Sequence, residues 1–344
     1  MRIGVLTAGG DCPGLNAVIR AVGRSAIERD DEAIGVLRGY EGLARREYMP
    51  LDMRALSGIL HLGGTIIGTS SFEPQREGAV AEVKEAFTAD RLDAVVAIGG
   101  EHTMEITRQL HDEEDLPLIG VPKTIDNDVS GTDQTFGFDT AVQVATEAID
   151  RLHTTAQSHD RAMVVEVMGR NTGWIAVYAG LAGGADGIVI PEVPTTVEEL
   201  AEGIRRRHER GKDFSIIVVA EGARLTFASG EERLIQPTEA TDEYGYPRLG
   251  GIGAALGKEL EDRTGYETRV TVLGHIQRGG TPTSTDRVLA TRYGAKAYAM
   301  ARAGEFGRMA ALHGDDVTSV PLSEVTGIKG VDLELLEIAK RFFS

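Results

Sequence analysis

The sequence predicts an α/β fold in two lobes, each a parallel sheet covered by helices. Two observations predict it. Apolar runs of strand length recur along the chain, each followed by a stretch with helical spacing, and that alternation builds parallel sheets buried on both faces. The length, 344 residues, exceeds one ordinary domain and is ample for two sizeable cores.

The elements follow in order. Ile3 to Leu6 opens the chain as a strand and empties into Thr7-Ala8-Gly9-Gly10-Asp11-Cys12-Pro13-Gly14-Leu15-Asn16, after which a helix runs to about Glu28. Leu92 to Ile98 is a second strand, followed by the turn Gly99-Gly100-Glu101-His102-Thr103 and a helix. Leu116 to Val121 is a third, ending in Pro122-Lys123-Thr124-Ile125-Asp126-Asn127-Asp128. Ala162 to Val167, Gly187 to Ile190, Phe214 to Ala220 and Arg269 to Leu273 continue the series. Residues 226–249, rich in Glu, Thr, Gly and Pro, read as a surface hairpin or excursion. We expect one lobe from 1–137 with a returning segment at about 250–300, and the other from 138–249 with about 301–344.

Composition excludes several classes. A net charge of -17 argues against general nucleic-acid binding, which needs a basic surface to displace counterions. Small phosphorylated ligands remain open, because a few local arginines hold them, and the chain has 29 arginines against 7 lysines. Such an acidic, lysine-poor chain fits either a high-salt cytoplasm or a GC-rich genome. No apolar stretch is long enough to span a bilayer and no signal peptide precedes the first strand, so the cytoplasm is the expected location. A single cysteine, Cys12, rules out an intramolecular disulfide, and its glycine-rich turn suits a packed thiol better than a nucleophile.

Three loops carry the chemistry, each at a strand's carboxyl end, where open α/β sheets bind ligands. The segment from Lys123 to Asp128 combines a cation, a hydroxyl and two carboxylates. A carboxylate there suits proton acceptance from a hydroxyl, and the lysine suits charge developing on phosphoryl oxygens. Its bland reading is a polar turn capping a strand. The loop from Gly9 to Gly14 offers backbone amides at a helix start to an anion. It has P-loop glycine spacing with Leu15 in place of the lysine, and it lacks the dinucleotide fingerprint. Glu101 suits either the dipole of the helix it opens or a magnesium ion shared with substrate phosphates. If the three strands are neighbours, the loops converge on one phosphoryl-transfer site.

An acceptor needs its own residues. Met168-Gly169-Arg170, Glu221-Gly222 and Gly274-His275-Ile276-Gln277-Arg278-Gly279-Gly280 present polar side chains on glycine-rich turns, and arginine grips phosphate through bidentate contacts. Taken alone, His275 reads first as a satisfied core histidine and second as a ligand contact.

The motifs GGDCPGLN, GGEHT, PKTIDND, SHDRAMVVEVMGR, AEG and TVLGHIQRGGTP stand in the order found in 6-phosphofructokinases of the bacterial type, and the resemblance runs from residue 1 to at least 300. It implies the phosphofructokinase fold of two Rossmann-like lobes and transfer of a phosphoryl group to the C1 hydroxyl of fructose 6-phosphate. By the same resemblance Asp126 is the base, with Lys123, Thr124 and Asp128 around the transferring group. Gly10, Gly100, His102 and Thr103 line the donor, and Glu101 holds Mg²⁺. Met168, Gly169, Arg170, Glu221, His275 and Arg278 contact the sugar, while Arg161 and Arg269 reach its 6-phosphate across a subunit interface. A homo-oligomer, dimer or tetramer, is therefore implied.

Departures from the family pattern bear on the donor. Lys123 occupies a position that is glycine in the common ATP-dependent bacterial enzymes, which resembles the pyrophosphate-dependent and mixed-donor branch. His102 replaces a glycine that leaves room for the α-phosphate of ATP, Ser71 replaces a donor-facing arginine, and His153 replaces an effector-binding one. Pyrophosphate is thus expected over ATP. Other readings are a kinase of the same fold acting on sedoheptulose 7-phosphate and a non-catalytic sugar-phosphate sensor, against which Asp126, Thr124 and Glu101 speak. A dinucleotide-dependent oxidoreductase is disfavoured by its missing fingerprint.

Overall fold

A computed structural model describes residues 1–226, 232–234 and 249–343. The chain divides into two compact units, Met1–Thr140 with Arg278–Ile328 and Ala141–Gln277 with Lys329–Ser344. The first contains β1 (Arg2–Thr7), α1 (Leu15–Glu28), β2 (Glu32–Val36), α2 (Gly39–Arg45), β3 (Tyr48–Pro50), α3 (Pro74–Glu77), α4 (Val80–Ala89), β4 (Ala94–Gly99), α5 (Glu101–Glu114), β5 (Leu118–Thr124) and β6 (Phe136–Gly137). The long helix α6 (Phe138–His159) carries the chain into the second unit. There follow β7 (Ala162–Val167), α7 (Trp174–Ala182), β8 (Gly187–Val189), β9 (Thr195–Thr196), α8 (Val197–Glu209), β10 (Ser215–Ala220), β11 (Arg224–Thr226), β12 (Glu232–Leu234), α9 (Ile252–Thr264) and β13 (Thr268–Val272). The chain returns to the first unit with α10 (Ser284–Ala303), β14 (Arg308–His313) and β15 (Asp316–Pro321), and α11 (Leu333–Lys340) closes the second.

Among the described residues the first unit holds an eight-stranded sheet in the order β15-β14-β5-β4-β1-β2-β3, with β6 beside β5. Its centre is parallel, as the continuous apolar runs predict: every residue of β4 is buried, and Val5, Leu6, Val95, Ile98 and Ile119 are sealed from solvent. The outermost strands differ from the expected all-parallel sheet, because β3 runs antiparallel to β2 and β15 antiparallel to β14. Only Gly314 and Asp315 separate β14 from β15, too few for a crossover, so the chain turns back as a hairpin at Gly314, φ 57°.

The second unit is built on the parallel sheet β13-β7-β10-β8. Its core joins Val164, Val219 and Ile217 to Ile204 of α8 and to Ile252, Leu256 and Leu260 of α9. That packing moves the boundary expected at about 250–300. β13 pairs with β7 and α9 seals the same sheet, so residues through Gln277 belong to the second unit, whereas β14 pairs with β5 and brings 308–313 back to the first. Of the excursion at 226–249, Glu232–Leu234 pairs with β11, and the rest, apart from Thr226 and Leu249, lies outside the described residues.

Candidate functional site

In the first unit β5, β4 and β1 are consecutive neighbours, and their register aligns Thr7 with Ile98 and Gly99 with Pro122. The three chemistry-bearing loops therefore leave one sheet edge side by side. The third is fixed by alternation: Ile125, Asn127 and Val129 are 1, 2 and 0 % exposed, while Thr124, Asp126 and Asp128 between them are only half-buried. Period two continues past the strand, anchoring every second residue in the core and turning the polar ones to the open side. The Thr124 hydroxyl accepts from the Asp126 amide at 3.1 Å. Asn127 adopts φ 50°, a left-handed conformation asparagine tolerates, and its Oδ1 accepts from the Thr135 amide at 3.0 Å. Thr135 donates its hydroxyl to the Thr124 carbonyl at 2.8 Å, closing the loop on itself. Asn127 and Thr135 were not among the residues singled out from sequence; the signal available was an asparagine between two carboxylates at a turn.

Lys123 points at the first loop rather than to solvent. Its ammonium donates to the Gly10 carbonyl, and burial lowers its pKa, partly offset by the charges of Asp11 and Asp128. Arg278 belongs to this unit as well. Its guanidinium lies against Gly10, where a Cβ would come within 2.5 Å of it, and donates to the Asp11 carbonyl at 3.4 Å. A side chain at position 10 would displace that guanidinium. Cys12 is fully buried with its thiol directed at the Phe136 carbonyl, and burial pushes the thiol pKa far up, which leaves it packed and inert as expected.

The glycine loop is strapped from outside. Thr69 donates to the Gly9 carbonyl at 2.5 Å, the Gly9 amide donates to Ser70, and Thr7 donates to the Gly68 carbonyl at 2.7 Å. Asn16 ties the same strap to α1 through the carbonyls of Leu62 and Gly63 and the amide of Ile66. At the start of α5, after Gly100, His102 approaches Glu73 of the strap, Nε2 to Oε2 3.4 Å. Thr103, expected at the donor, is buried, and its side chain packs over Gly99.

Glu101 opens α5 and is half-buried; burial first, and the charge of Asp128 second, raise its pKa. Two carboxylates that disfavour each other's ionisation mark a place a divalent cation stabilises. No cluster of three or more His, Cys, Asp or Glu side chains is assembled among the described residues. Magnesium takes one or two carboxylates and completes its shell with phosphate oxygens and water.

In the second unit the carboxyl ends of β7 and β10 lie side by side, with Val167 opposite Ala220. The Gly222 amide donates to the Gly169 carbonyl at 3.1 Å, which brings Met168, Gly169 and Arg170 beside Glu221. The short helix Gly274–Arg278 docks here through Gln277, wholly buried, whose Oε1 accepts from the Met168 amide at 3.4 Å. The core position expected for His275 is thus taken by Gln277, and His275 is exposed: two residues apart on a helix with about three residues per turn, they face different sides, Gln277 inward and His275 outward.

Arg161 and Arg269 lie at the other end of that sheet, roughly 20 Å along the strand from Met168. Arg161 Nε donates to Glu267 Oε2 at 2.7 Å, and Arg269 donates to the other carboxylate oxygen, Oε1. Within this unit the two sets of expected acceptor residues do not meet.

Residues 2–301 match the family model described as Phosphofructokinase. The chain is 52 % identical to an ATP-dependent 6-phosphofructokinase 2 of Streptomyces coelicolor and 51 % identical to a pyrophosphate–fructose 6-phosphate 1-phosphotransferase of Amycolatopsis mediterranei, over 100 % of both chains in each case. Among solved structures, Pichia pastoris phosphofructokinase in the T-state superimposes with a TM-score of 0.80 at 31 % identity, over 94 % of this chain and 35 % of that longer one.

Proposed function

The chain belongs to the phosphofructokinase family, and from that premise we propose that it transfers a phosphoryl group from pyrophosphate to the C1 hydroxyl of fructose 6-phosphate. The observation that carries the transfer chemistry is the alternation from Thr124 to Asp128, which turns a hydroxyl and two carboxylates to one accessible side beside a glycine loop. Asp126 accepts the C1 proton as the hydroxyl oxygen attacks the phosphorus and the bond to the leaving phosphate breaks. Thr124 and Asp128 flank the transferring group. Gly10 and Gly100 let donor phosphates approach the backbone, and Glu101 with Asp128 would hold Mg²⁺, which neutralises phosphate charge when bound. Met168, Gly169, Arg170, Glu221, His275 and Arg278 position the sugar.

Arg161 and Arg269 hold the 6-phosphate of a substrate bound mainly by a neighbouring copy, which makes the working species a homo-oligomer. Support comes from their distance along β7 from Met168: one small sugar phosphate does not span the strand.

Pyrophosphate is favoured over ATP because Lys123 directs its amino group at the glycine loop, a donor for phosphoryl oxygens that needs no nucleotide. His102, at the first turn of α5, adds bulk where an α-phosphate would pass. Relatives of nearly equal identity carry both donor names, so a donor panel decides. With fructose 6-phosphate and Mg²⁺, pyrophosphate is expected to give the higher kcat/KM, and His102→Gly to shift the ratio toward ATP. Efficient use of ATP alone, lost in His102→Gly, would make His102 a nucleotide contact and reverse the assignment.

A further inference from the structure

Glu267 sits immediately before β13, directly across from Arg161, which precedes β7; the Ala162 amide donates to the Glu267 carbonyl at 3.0 Å. Arg161, Glu267 and Arg269 occupy alternate positions on neighbouring strands and so share one face of the sheet. The carboxylate takes one donor from each arginine, Nε of Arg161 at 2.7 Å on one oxygen and a terminal nitrogen of Arg269 on the other. Gripping Arg161 through Nε leaves its two terminal nitrogens without a hydrogen bond among the described residues, and that is the edge of a guanidinium suited to two phosphate oxygens. Arg269 is steadied further by the Thr268 carbonyl at 3.2 Å. The triad carries one net positive charge, enough to attract a phosphate, while the central carboxylate suppresses the repulsion that would splay the arginines apart.

We propose that Glu267 is a positioning residue for phosphate recognition: it clamps Arg161 and Arg269 as a pair, with the terminal edge of Arg161 presented to the phosphate of the acceptor. The proposal rests on the reading that those two arginines hold the 6-phosphate. The carboxylate is held below its usual range by its hydrogen bond to Arg161, so the clamp is charged at any pH at which the enzyme would work. Glutamine is isosteric but offers one acceptor oxygen, so it keeps one arm of the clamp and turns an amide N–H toward the other arginine.

The test compares Glu267→Gln, Glu267→Asp, Arg161→Ala and Arg269→Ala for kcat and KM with fructose 6-phosphate and for thermal midpoint. Glu267→Gln is expected to raise the KM roughly three- to tenfold, with kcat changed less than twofold and an unaltered midpoint, because exposed ion pairs contribute little to folding. Glu267→Asp should recover part of the loss. A KM unchanged in Glu267→Gln while both arginine variants raise it overturns the positioning role alone. KM values unchanged in both arginine variants overturn the 6-phosphate reading and the proposal with it, and a fall in kcat and midpoint together would make Glu267 merely structural.

Discussion

On the proposed reading, the loop from Lys123 to Asp128 in the first unit and the Arg161–Glu267–Arg269 cluster in the second both present charge to a phosphate compound, but they hold it by opposite means. The loop is placed by burial: Lys123, Ile125 and Asn127 are locked in the core, and Thr124, Asp126 and Asp128 stay partly exposed. The cluster is placed by ion pairs among side chains 25, 40 and 55 % exposed. The difference follows from what each set must do. Proton transfer demands a carboxylate held within hydrogen-bond reach of one oxygen, and a small displacement costs orders of magnitude. Attraction of a dianion falls off slowly with distance, so salt-screened surface groups suffice.

The largest effect is expected from removing the reactive group without disturbing its placement. Asp126→Asn keeps shape and removes the proton acceptor, so kcat should fall by about two to four orders of magnitude with the KM for fructose 6-phosphate within about threefold of wild type. Steady-state kinetics check this, and near wild-type turnover would assign the proton to another group. A smaller effect, on stability, is expected from breaking the lock. Asn127→Ala leaves the buried Thr135 amide without its acceptor and puts alanine at φ 50°, which should cost about 1–3 kcal/mol in denaturant unfolding. A cost under about 0.5 kcal/mol would mean that the loop is held by its apolar neighbours alone.

How far sequence reached also divides along this line. The buried centre of each sheet was legible, because β1, β4, β5, β7 and β10 are predominantly apolar runs, with Glu166 the charged exception inside β7, ended by glycine-rich or charged loops. Strands at the margins were not: β2, β3, β14 and β15 are short or half-exposed, and they owe their state to a neighbour's free edge rather than to composition. Pairing distant in sequence likewise decided that α9 and β13 stay with β7, which no local pattern encodes. In the loops, the identities of Asp126, Glu101 and Lys123 stood out, while their supports did not. Asn127, Thr135 and Gln277 act through partners brought together only by the fold. His275 shows the same limit in reverse, since a histidine among glycines carries no mark of which way its half-turn faces.

The smallest stability effect should come from the exposed cluster, where it sharpens the contrast with Asn127. Arg161→Ala removes a partly exposed ion pair to Glu267 and should change unfolding free energy by less than about 0.5 kcal/mol, read in the same denaturant titration. Its activity at low sugar phosphate should nevertheless fall. If Arg161 serves the site of a neighbouring copy, mixing it with the Asp126→Asn protein restores turnover: after subunit exchange half of the dimers are mixed, and each mixed dimer has one site with both Asp126 and Arg161 intact. Recovery to about a quarter of wild-type activity is therefore expected from an equimolar mixture of dimers. No recovery, with mixed dimers demonstrated by mass, would place Arg161 and Asp126 on the same chain's substrate. The surface cluster would then have to reach its ligand by a route the roughly 20 Å of β7 argues against.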